Sequence, residues 1–376
     1  MHLPRLTSLL LPLQLAAAAA AAASQPPRGR CNDVDILAGQ HVVYSWAASS
    51  APPQELLDLT RQGLVGGVIL FGENMDANTT TNVARLKAAY DASPAPGLLR
   101  RLTGRRAHFF VSTDQEGGYV RRIAGAEPKL SAKLMGSAPD PAAAGKAGGE
   151  GAAAALKQFL HNVNLAPVLD VFREAGDFID FKERSFGNSS AQVVAAAVPF
   201  LAAQQAAGVA GAAKHFPGLG AAPHDANTDL QPVTLTQSLG ELRDVDMKPY
   251  EAAIAAGIDM VMTSWALYPA LDAKYPSGLS RKWVQGELRG RLGFRGVTIT
   301  DAMEAGAIAP FGDAAATGLL AKKAGMDILL ASQRNVTQGD VIRKAIVRGL
   351  KSGALDHKEF DAATRRIAEM RSKIVA

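Results

Sequence analysis

The chain has 376 residues, of which 48% are apolar and 20% are charged. This balance is typical of a soluble globular protein and excludes a largely disordered chain. The formal net charge of +5 is small and is spread along the sequence. Nucleic-acid binding is not expected, because it requires a basic stripe and none is present in the sequence.

The N-terminal segment has the pattern of a secretory signal peptide. One basic residue within positions 1–5 precedes an apolar run over 9–23 that ends in alanines, and cleavage is expected near residues 23 to 25. The run is too short for a transmembrane helix, and no later stretch is apolar for long enough to cross a bilayer. We therefore expect a secreted protein with a signal peptide at 1–23, a linker at 24–33 and one domain at 34–376.

Short apolar runs that favour β-strands alternate with alanine-rich helical stretches from residue 67 onward. The predicted strands lie at 67–71, 108–113, 162–171, 210–215, 259–263, 296–300 and 327–331. The clearest helices lie at 142–160 and 190–207, and two more are expected within 339–374. Strands separated by helices indicate βα units with a parallel sheet. Seven or eight such units predict an α/β fold with a single-domain, TIM-type (β/α)8 barrel.

Seven polar side chains lie at or directly after predicted strands. They are Asp114, Glu116, Asp170, Lys214, His215, Asp225 and Asp301. A single Asp after a strand is most often only the cap of the next helix, but in a barrel all strand ends share the face where active sites are built. Cleavage of a glycosidic bond needs two carboxyl groups, one at the anomeric carbon and one that protonates the leaving oxygen. Neighbouring Lys and Arg would bind sugar hydroxyls and lower the pKa of the attacking Asp.

Five segments of the sequence resemble the signature motifs of glycoside hydrolase family 3. In chain order they are VSTDQEGGYVRR at 111–122, NLAPVLDV at 164–171, RSFG at 184–187, KHFPG at 214–218 and FRGVTITDAM at 294–303. Their order and spacing agree with the family, and the resemblance covers residues 35 to 374. It implies a retaining glycoside hydrolase with a barrel fold.

The resemblance also implies roles for individual residues. Asp301 would be the catalytic nucleophile that forms a covalent glycosyl-enzyme intermediate. Asp114 and Arg122 would bind the outer hydroxyls of the terminal sugar, and Arg184 would hold the sugar and its N-acetyl group. An Arg side chain suits such positioning because its donors form a rigid fork.

Two further motif residues, Lys214 and His215, would contact hydroxyls near the reacting carbon. Their alternative is a buried ion pair that only braces the strand. Asp170 would be a carboxylate that supports the site from behind. Trp265 replaces a His that the family usually has, and it would either stack on a sugar or pack in the interior.

The acid/base residue is where the sequence departs from the family. The chain ends soon after its last predicted helix, as in the single-domain β-N-acetylglucosaminidase branch, which uses an Asp-x-His pair after KHFPG. Here Asp225 falls at the Asp position and Asn227 at the His position, and an Asn cannot donate a proton as an acid does. His224 and Asp225 join Asp301 as candidate catalytic residues. Asp229 is a further candidate, and the sequence does not choose among the three.

The expected function is hydrolysis of terminal β-N-acetylglucosamine from chitin- or peptidoglycan-derived oligosaccharides. A β-glucosidase-type hexosidase, a phosphorolytic variant and a catalytically impaired glycan-binding barrel are the alternatives. No metal site is expected, because the seven His residues lack ligand spacing, and no cofactor is expected. The oligosaccharide substrate is the only partner expected, and the protein is expected to be a monomer.

Overall fold

A computed structural model describes residues 31–375 and shows a closed barrel of eight parallel strands surrounded by helices. The barrel strands are β1 Val42–Tyr44, β2 Gly67–Ile69, β3 Phe110–Thr113, β6 Val163–Asn164, β7 Ala210–Phe216, β8 Met260–Thr263, β9 Val297–Ala302 and β10 Ile328–Leu330. Each barrel strand pairs with the barrel strand that follows it in the sequence, and β10 pairs with β1 to close the ring. The predicted (β/α)8 barrel is thus confirmed.

A short antiparallel hairpin lies outside the barrel, formed by β4 Gln115–Gly117 and β5 Val120–Arg121. The α-helices are α1 Cys31–Gly39, α2 Gln54–Arg61, α3 Thr79–Asp91, α4 Pro94–Thr103, α5 Ala132–Gly136, α6 Pro141–Gln158, α7 Ser190–Ala206, α8 Leu239–Glu241, α9 Lys248–Ala255, α10 Ala314–Ala324, α11 Val336–Lys351 and α12 His357–Arg371. Irregular helical segments at Gly306–Phe311 and Lys282–Arg291 flank β9.

Every strand predicted from the sequence has a counterpart in the barrel, but β1 was not predicted. It has only three residues, which is too short for a strand pattern to stand out from its surroundings. Its neighbours on both sides define it, since Val42 pairs with Leu329 of β10 and Val43 with Gly67 of β2. Gly67 has no room for a side chain, because a Cβ there would lie 2.5 Å from the Cβ of Phe110.

The helix ends follow ordinary capping chemistry. Asp140 accepts a hydrogen bond from the backbone N–H of Ala143 and begins α6, and Ser189 begins α7 in the same way. Helix α1 begins at Cys31, so residues 31–33, which the sequence assigned to a linker, form its first turn. The predicted signal peptide at 1–23 and the rest of the linker lie outside the described residues.

The barrel interior is filled by apolar side chains from all eight strands. Examples are Val43, Ile69, Met262, Ile299 and Leu330, all of which are buried. Two larger apolar clusters on the outside of the strands hold the surrounding helices against the barrel. This packing fixes the strand ends, and with them the side chains that follow each strand. Within residues 31–375, no helix has the length and apolar character needed to cross a membrane.

Candidate active site

A cleft of about 760 Å³ opens at the carboxyl ends of the barrel strands. Its lining is rich in charge, and the charged and titratable members are Asp114, Glu116, Arg122, Lys182, Arg184, Lys214, His215, Asp229, Asp301, Glu304 and Arg334. Six of the eight site residues predicted from the sequence are among them. The two that do not line the cleft are His224 and Asp225.

Four of these side chains form a compact ion-pair network, which we call the paired cluster: Asp114, Glu116, Arg184 and Lys214. Lys214 Nζ lies 2.8 Å from Asp114 Oδ1 and 2.7 Å from Glu116 Oε1. Arg184 donates two hydrogen bonds to Glu116, from Nε at 2.9 Å and from a terminal nitrogen at 2.8 Å. Such bidentate, charge-assisted bonds fix both position and orientation.

The network keeps both of its carboxyl groups ionised. Burial alone would raise the pKa of Glu116, but Arg184 and Lys214 lower it to about 2. Burial also opposes ionisation of Asp114, and Lys214 and Arg122 nevertheless hold its pKa well below the usual range. Arg122 is the looser partner, since its terminal nitrogen lies 3.5 Å from Asp114 Oδ2. The paired cluster therefore presents fixed donors and acceptors suited to sugar hydroxyls.

The hairpin explains how one short segment supplies two members of this cluster. Asn164 of β6 pairs with the backbone of Gln115 in both directions, at 3.0 Å each, which fixes the exit of the chain from β3. Gly117 and Gly118 then turn the chain with φ values of 117° and 54°, which favour glycine. Asp114 and Glu116 thus both line the cleft. Glu116 was noted at the strand end but not assigned to the site from the sequence.

His215 is held by a buried carboxylate beneath the cleft. Its Nδ1 lies 2.7 Å from Asp170 Oδ2, and its backbone N–H donates to Asp170 Oδ1 at 3.1 Å. Asp170 also accepts from the backbone N–H of Leu219 at 2.8 Å and is fully buried. Within residues 31–375 no hydrogen bond reaches His215 Nε2, so this nitrogen is available to a ligand in the cleft.

Three carboxyl groups on the cleft form a second set, which we call the acidic cluster: Asp229, Asp301 and Glu304. In the described part of the chain, no Lys or Arg nitrogen lies within 4.0 Å of their oxygens. Asp301 Oδ1 accepts a hydrogen bond from the backbone N–H of Ala302 at 2.8 Å. The cations expected beside Asp301 pair instead with the carboxylates of the paired cluster.

Trp265 packs in the interior and does not line the cleft. Its indole N–H donates to the carbonyl of Ala302 at 2.8 Å, which anchors the end of β9 directly after Asp301. Gly278 lies against the indole, since a Cβ there would approach Trp265 Cζ3 to 2.5 Å. Of the two roles considered from the sequence, the structure gives Trp265 the packing role.

Asp229 is brought to the cleft by a backbone link to the segment that follows Asp301. The carbonyls of Thr228 and Asp229 accept hydrogen bonds from Ala307 and Gly306, at 3.0 and 2.8 Å. Asn227, at the expected His position, accepts from the backbone N–H of Asp229 at 2.9 Å. Partial desolvation at the cleft and then the negative charge of Asp301 raise the pKa of Asp229 to about 6, although Asp229 is an exposed residue.

His224 and Asp225 lie on the outer side of the same loop. Both are exposed, and the ring of His224 packs on Phe181 with the ring centroids 4.4 Å apart. The third member of the acidic cluster, Glu304, was missed from the sequence. It accepts from Ser332 Oγ at 2.7 Å, and burial raises its pKa. Its spacing of three residues after Asp301 was the only available signal.

No group of three or more His, Cys, Asp or Glu side chains within residues 31–375 is arranged to hold a metal ion.

Comparison with known proteins gives consistent matches across the whole described domain. The family model of the glycosyl hydrolase family 3 N terminal domain matches residues 37–370. An uncharacterized secreted glycosyl hydrolase of Arthroderma benhamiae is 48% identical over 345 residues, which are 92% of this chain and 95% of that protein. A beta-hexosaminidase of Xylella fastidiosa is 32% identical over 291 residues, which are 76% of this chain and 81% of that protein.

A solved structure gives the same answer for the fold. The crystal structure of beta-N-acetylhexosaminidase from Beutenbergia cavernae superimposes with a TM-score of 0.78 at 31% sequence identity. The match covers 90% of this chain and 98% of that one. The resemblance found in the five motifs thus extends over the entire barrel.

Proposed function

The chain belongs to glycosyl hydrolase family 3, and we propose that, as a member of these enzymes that cleave O-glycosyl bonds, it removes terminal β-N-acetylglucosamine with retention of configuration. The substrates would be oligosaccharides derived from chitin or peptidoglycan. Two relatives named for β-hexosaminidase or β-N-acetylhexosaminidase activity support this choice of sugar. The relative described as secreted, together with the signal-peptide pattern at 1–23, supports an extracellular location.

In this proposal Asp301 attacks the anomeric carbon and forms a covalent glycosyl-enzyme intermediate. The glycosidic bond breaks as the leaving oxygen takes a proton from the acid/base residue. Water then attacks the same carbon, gives its proton back to that residue and releases Asp301. Asp301 suits the first role, because it lines the cleft and has no Lys or Arg within 4.0 Å among the described residues.

We assign the acid/base role to Asp229, one of the three candidates from the sequence. The carrying observation is that Asp229 and Asp301 line the same cleft, whereas His224 and Asp225 do not line it. A pKa of about 6 lets Asp229 hold a proton in mildly acidic medium. The raised pKa of Asp229, beside the negative charge of Asp301, fits the general acid of a carboxyl pair.

The paired cluster would hold the terminal sugar. Lys214 is buried and Asp114 is half-buried at the base of the cleft, and their ion pair keeps both charged, so binding a hydroxyl requires no further proton transfer. His215 would donate or accept through Nε2, because Asp170 already engages Nδ1. Arg122 and Arg184 would complete the contacts on the hairpin side.

The decisive experiment is covalent trapping with a slowly hydrolysed fluorinated N-acetylglucosaminide. We expect one added sugar per chain, found by mass spectrometry on the peptide that contains Asp301, and no label on the Asp301→Asn variant. Release of p-nitrophenol from the β-N-acetylglucosaminide and not from the β-glucoside would support the sugar assignment. The reverse preference would indicate a β-glucosidase-type enzyme, and binding without turnover or labelling would indicate a glycan-binding barrel.

A further inference from the structure

A second cleft, of about 320 Å³, lies on the face of the barrel opposite the proposed active site. We call this space, between α10, α12 and the helical segment Lys282–Arg291, the lower cleft. It reaches Asp327, which directly precedes β10, so it lies at the amino ends of the barrel strands. Its volume falls at the lower end of the range for small-molecule sites.

The lining of the lower cleft carries more positive than negative side chains. The five cations are Arg281, Arg289, Lys322, Lys323 and Arg366, and the three carboxylates are Asp327, Asp356 and Glu359. Glu359 pairs with Arg281 at 2.6 Å. The carboxylate of Asp327 is shared by Arg289 and Arg366, at 2.7 Å each. The ion pairs therefore leave positive charge in the lower cleft without a counterion.

Lys322 is buried, and no carboxylate oxygen of the described residues lies within 4.0 Å of its Nζ. Its Nζ contacts the carbonyls of Met326 and Asp327, at 2.6 and 3.1 Å, and His41 Nδ1 at 3.0 Å. These contacts occupy the ammonium group, so Lys322 acts on the lower cleft through its charge. Burial and the nearby arginines outweigh Asp327 and lower the pKa of Lys322 to about 7. A bound anion would favour the protonated form.

Donor groups on three other side chains of the lower cleft are available to a ligand. Within residues 31–375, the side-chain amide of Gln285 and the Nζ of Lys323 make no hydrogen bond. Arg366 binds Asp327 through Nε and one terminal nitrogen, which leaves its other terminal nitrogen without a partner in the same residues. A Cβ on Gly325 would collide with the amide of Gln285, so the glycine provides the space for this amide. Such donors suit the oxygens of a phosphate or carboxylate.

We propose that the lower cleft is a binding site for a small oxyanion, carried by a phosphate group or by an organic carboxylate. Gln285, Lys323 and Arg366 donate hydrogen bonds to its oxygens, and the positive charges of Lys322 and Arg289 stabilise it. The recessed shape and small volume favour a small molecule over a folded protein partner. Because the site lies on the opposite face of the barrel, it does not depend on which glycoside the proposed active site cleaves.

Calorimetric titration with inorganic phosphate and, separately, with citrate tests the site, at fixed pH and with chloride holding the ionic strength constant. The anion that binds more tightly identifies the phosphate or the carboxylate class. We expect its affinity to fall at least tenfold in Gln285→Glu, which adds a negative charge without a change in size, and several-fold in Lys323→Gln. The matched control Lys182→Gln removes an exposed lysine of the proposed active-site cleft and should bind as the wild type does.

Thermal unfolding gives a second readout, because the carboxylate of Gln285→Glu would take the place of the bound anion. In chloride alone, we expect this variant to melt a few degrees above the wild type. Addition of the tighter-binding anion should raise the melting temperature of the wild type but not that of the variant. The proposal is overturned if neither anion binds, if Gln285→Glu binds as tightly as the wild type, or if the affinity falls in Lys182→Gln. A lower melting temperature of Gln285→Glu in chloride would contradict the excess of positive charge.

Discussion

The paired cluster and the acidic cluster face the same cleft but differ in how their carboxyl groups are compensated. In the paired cluster, two cations lower the pKa of both carboxyl groups. In the acidic cluster, the described residues provide no Lys or Arg within 4.0 Å, and the pKa values of Asp229 and Glu304 are raised.

This difference separates substrate binding from proton transfer and nucleophilic attack on one face of the barrel. Ion-paired carboxylates cannot exchange protons near neutral pH and are held rigidly, so they suit the recognition of hydroxyls. Carboxyl groups without cationic partners keep their lone pairs and protons available for attack and transfer.

Replacement of the proposed nucleophile should abolish turnover without weakening the fold. In Asp301→Asn we expect kcat on an aryl β-N-acetylglucosaminide to fall by on the order of 10⁴-fold. The melting temperature should stay close to that of the wild type, because no Lys or Arg among the described residues is left unpaired by the change. A melting temperature lower by many degrees would show that the acidic cluster also supports the fold, and would break the comparison.

Replacement in the paired cluster should instead reduce the stability of the fold strongly. Glu116→Gln leaves the buried Lys214 and the half-buried Arg184 undercompensated, and we expect a loss of about 3 to 5 kcal/mol of unfolding free energy in denaturant titrations. The control Glu150→Gln removes only an exposed pair with Lys146 at 3.8 Å and should cost about 0 to 1 kcal/mol. Equal losses in the two variants would contradict the buried network.

The lowered pKa of Glu116 also predicts that the stability difference between the wild type and Glu116→Gln depends on pH. The pKa of Glu116 is lowered in the folded state, so its stabilisation is complete above the unfolded-state value of 4.5 and is lost as the pH falls toward about 2. Unfolding free energies of the wild type and Glu116→Gln should therefore differ most near neutral pH and converge at low pH. A difference that does not change between pH 7 and pH 2 would show that the Glu116 charge is not its source.

Replacement of the proposed acid/base residue should reduce activity according to the leaving group. We expect Asp229→Asn to lower kcat/KM about 10²- to 10³-fold on oligosaccharides, and less on aryl glycosides whose leaving groups need no proton. The wild-type kcat/KM should fall above a pKa of about 6, and this limb should be absent in the variant. Asp225→Asn, on the outer side of the loop, is the matched control, and an equal loss in that variant would return the role to Asp225.

The smallest effect is expected at Trp265, whose indole N–H donates to the carbonyl of Ala302, the residue after Asp301. Trp265→Phe loses the hydrogen bond to Ala302, worth about 0.5 to 1.5 kcal/mol, and we expect a several-fold fall in kcat with KM little changed. Trp283→Phe removes similar buried volume, but the Trp283 indole N–H has no partner in the described residues. A fall in kcat of the same size in both variants would reduce the Trp265 effect to packing.

Much of the fold followed from the sequence because its signals are local. Apolar runs of strand length and alanine-rich helical stretches alternate at intervals that fit βα units, and the barrel was predicted with seven of its eight strands. The exception, β1, is three residues long and is defined by pairing with β2 and β10. The paired cluster was predicted in part: Asp114, Glu116 and Lys214 lie at strand ends, whose common face is a property of every barrel, whereas Arg184 was assigned to the site through the family resemblance.

The sequence was enough to predict the barrel and to place Asp114, Lys214 and Asp301 at its strand-end face, and the family resemblance added Arg184. Which residue of the loop after β7 reaches the cleft became evident only in the folded chain. Hydrogen bonds between the backbone at 228–229 and the segment at 306–307 hold Asp229 at the cleft, where its side chain is exposed, whereas His224 and Asp225 do not line the cleft. These partners lie more than 70 residues apart, and no local pattern encodes a side-chain direction that a distant backbone contact sets.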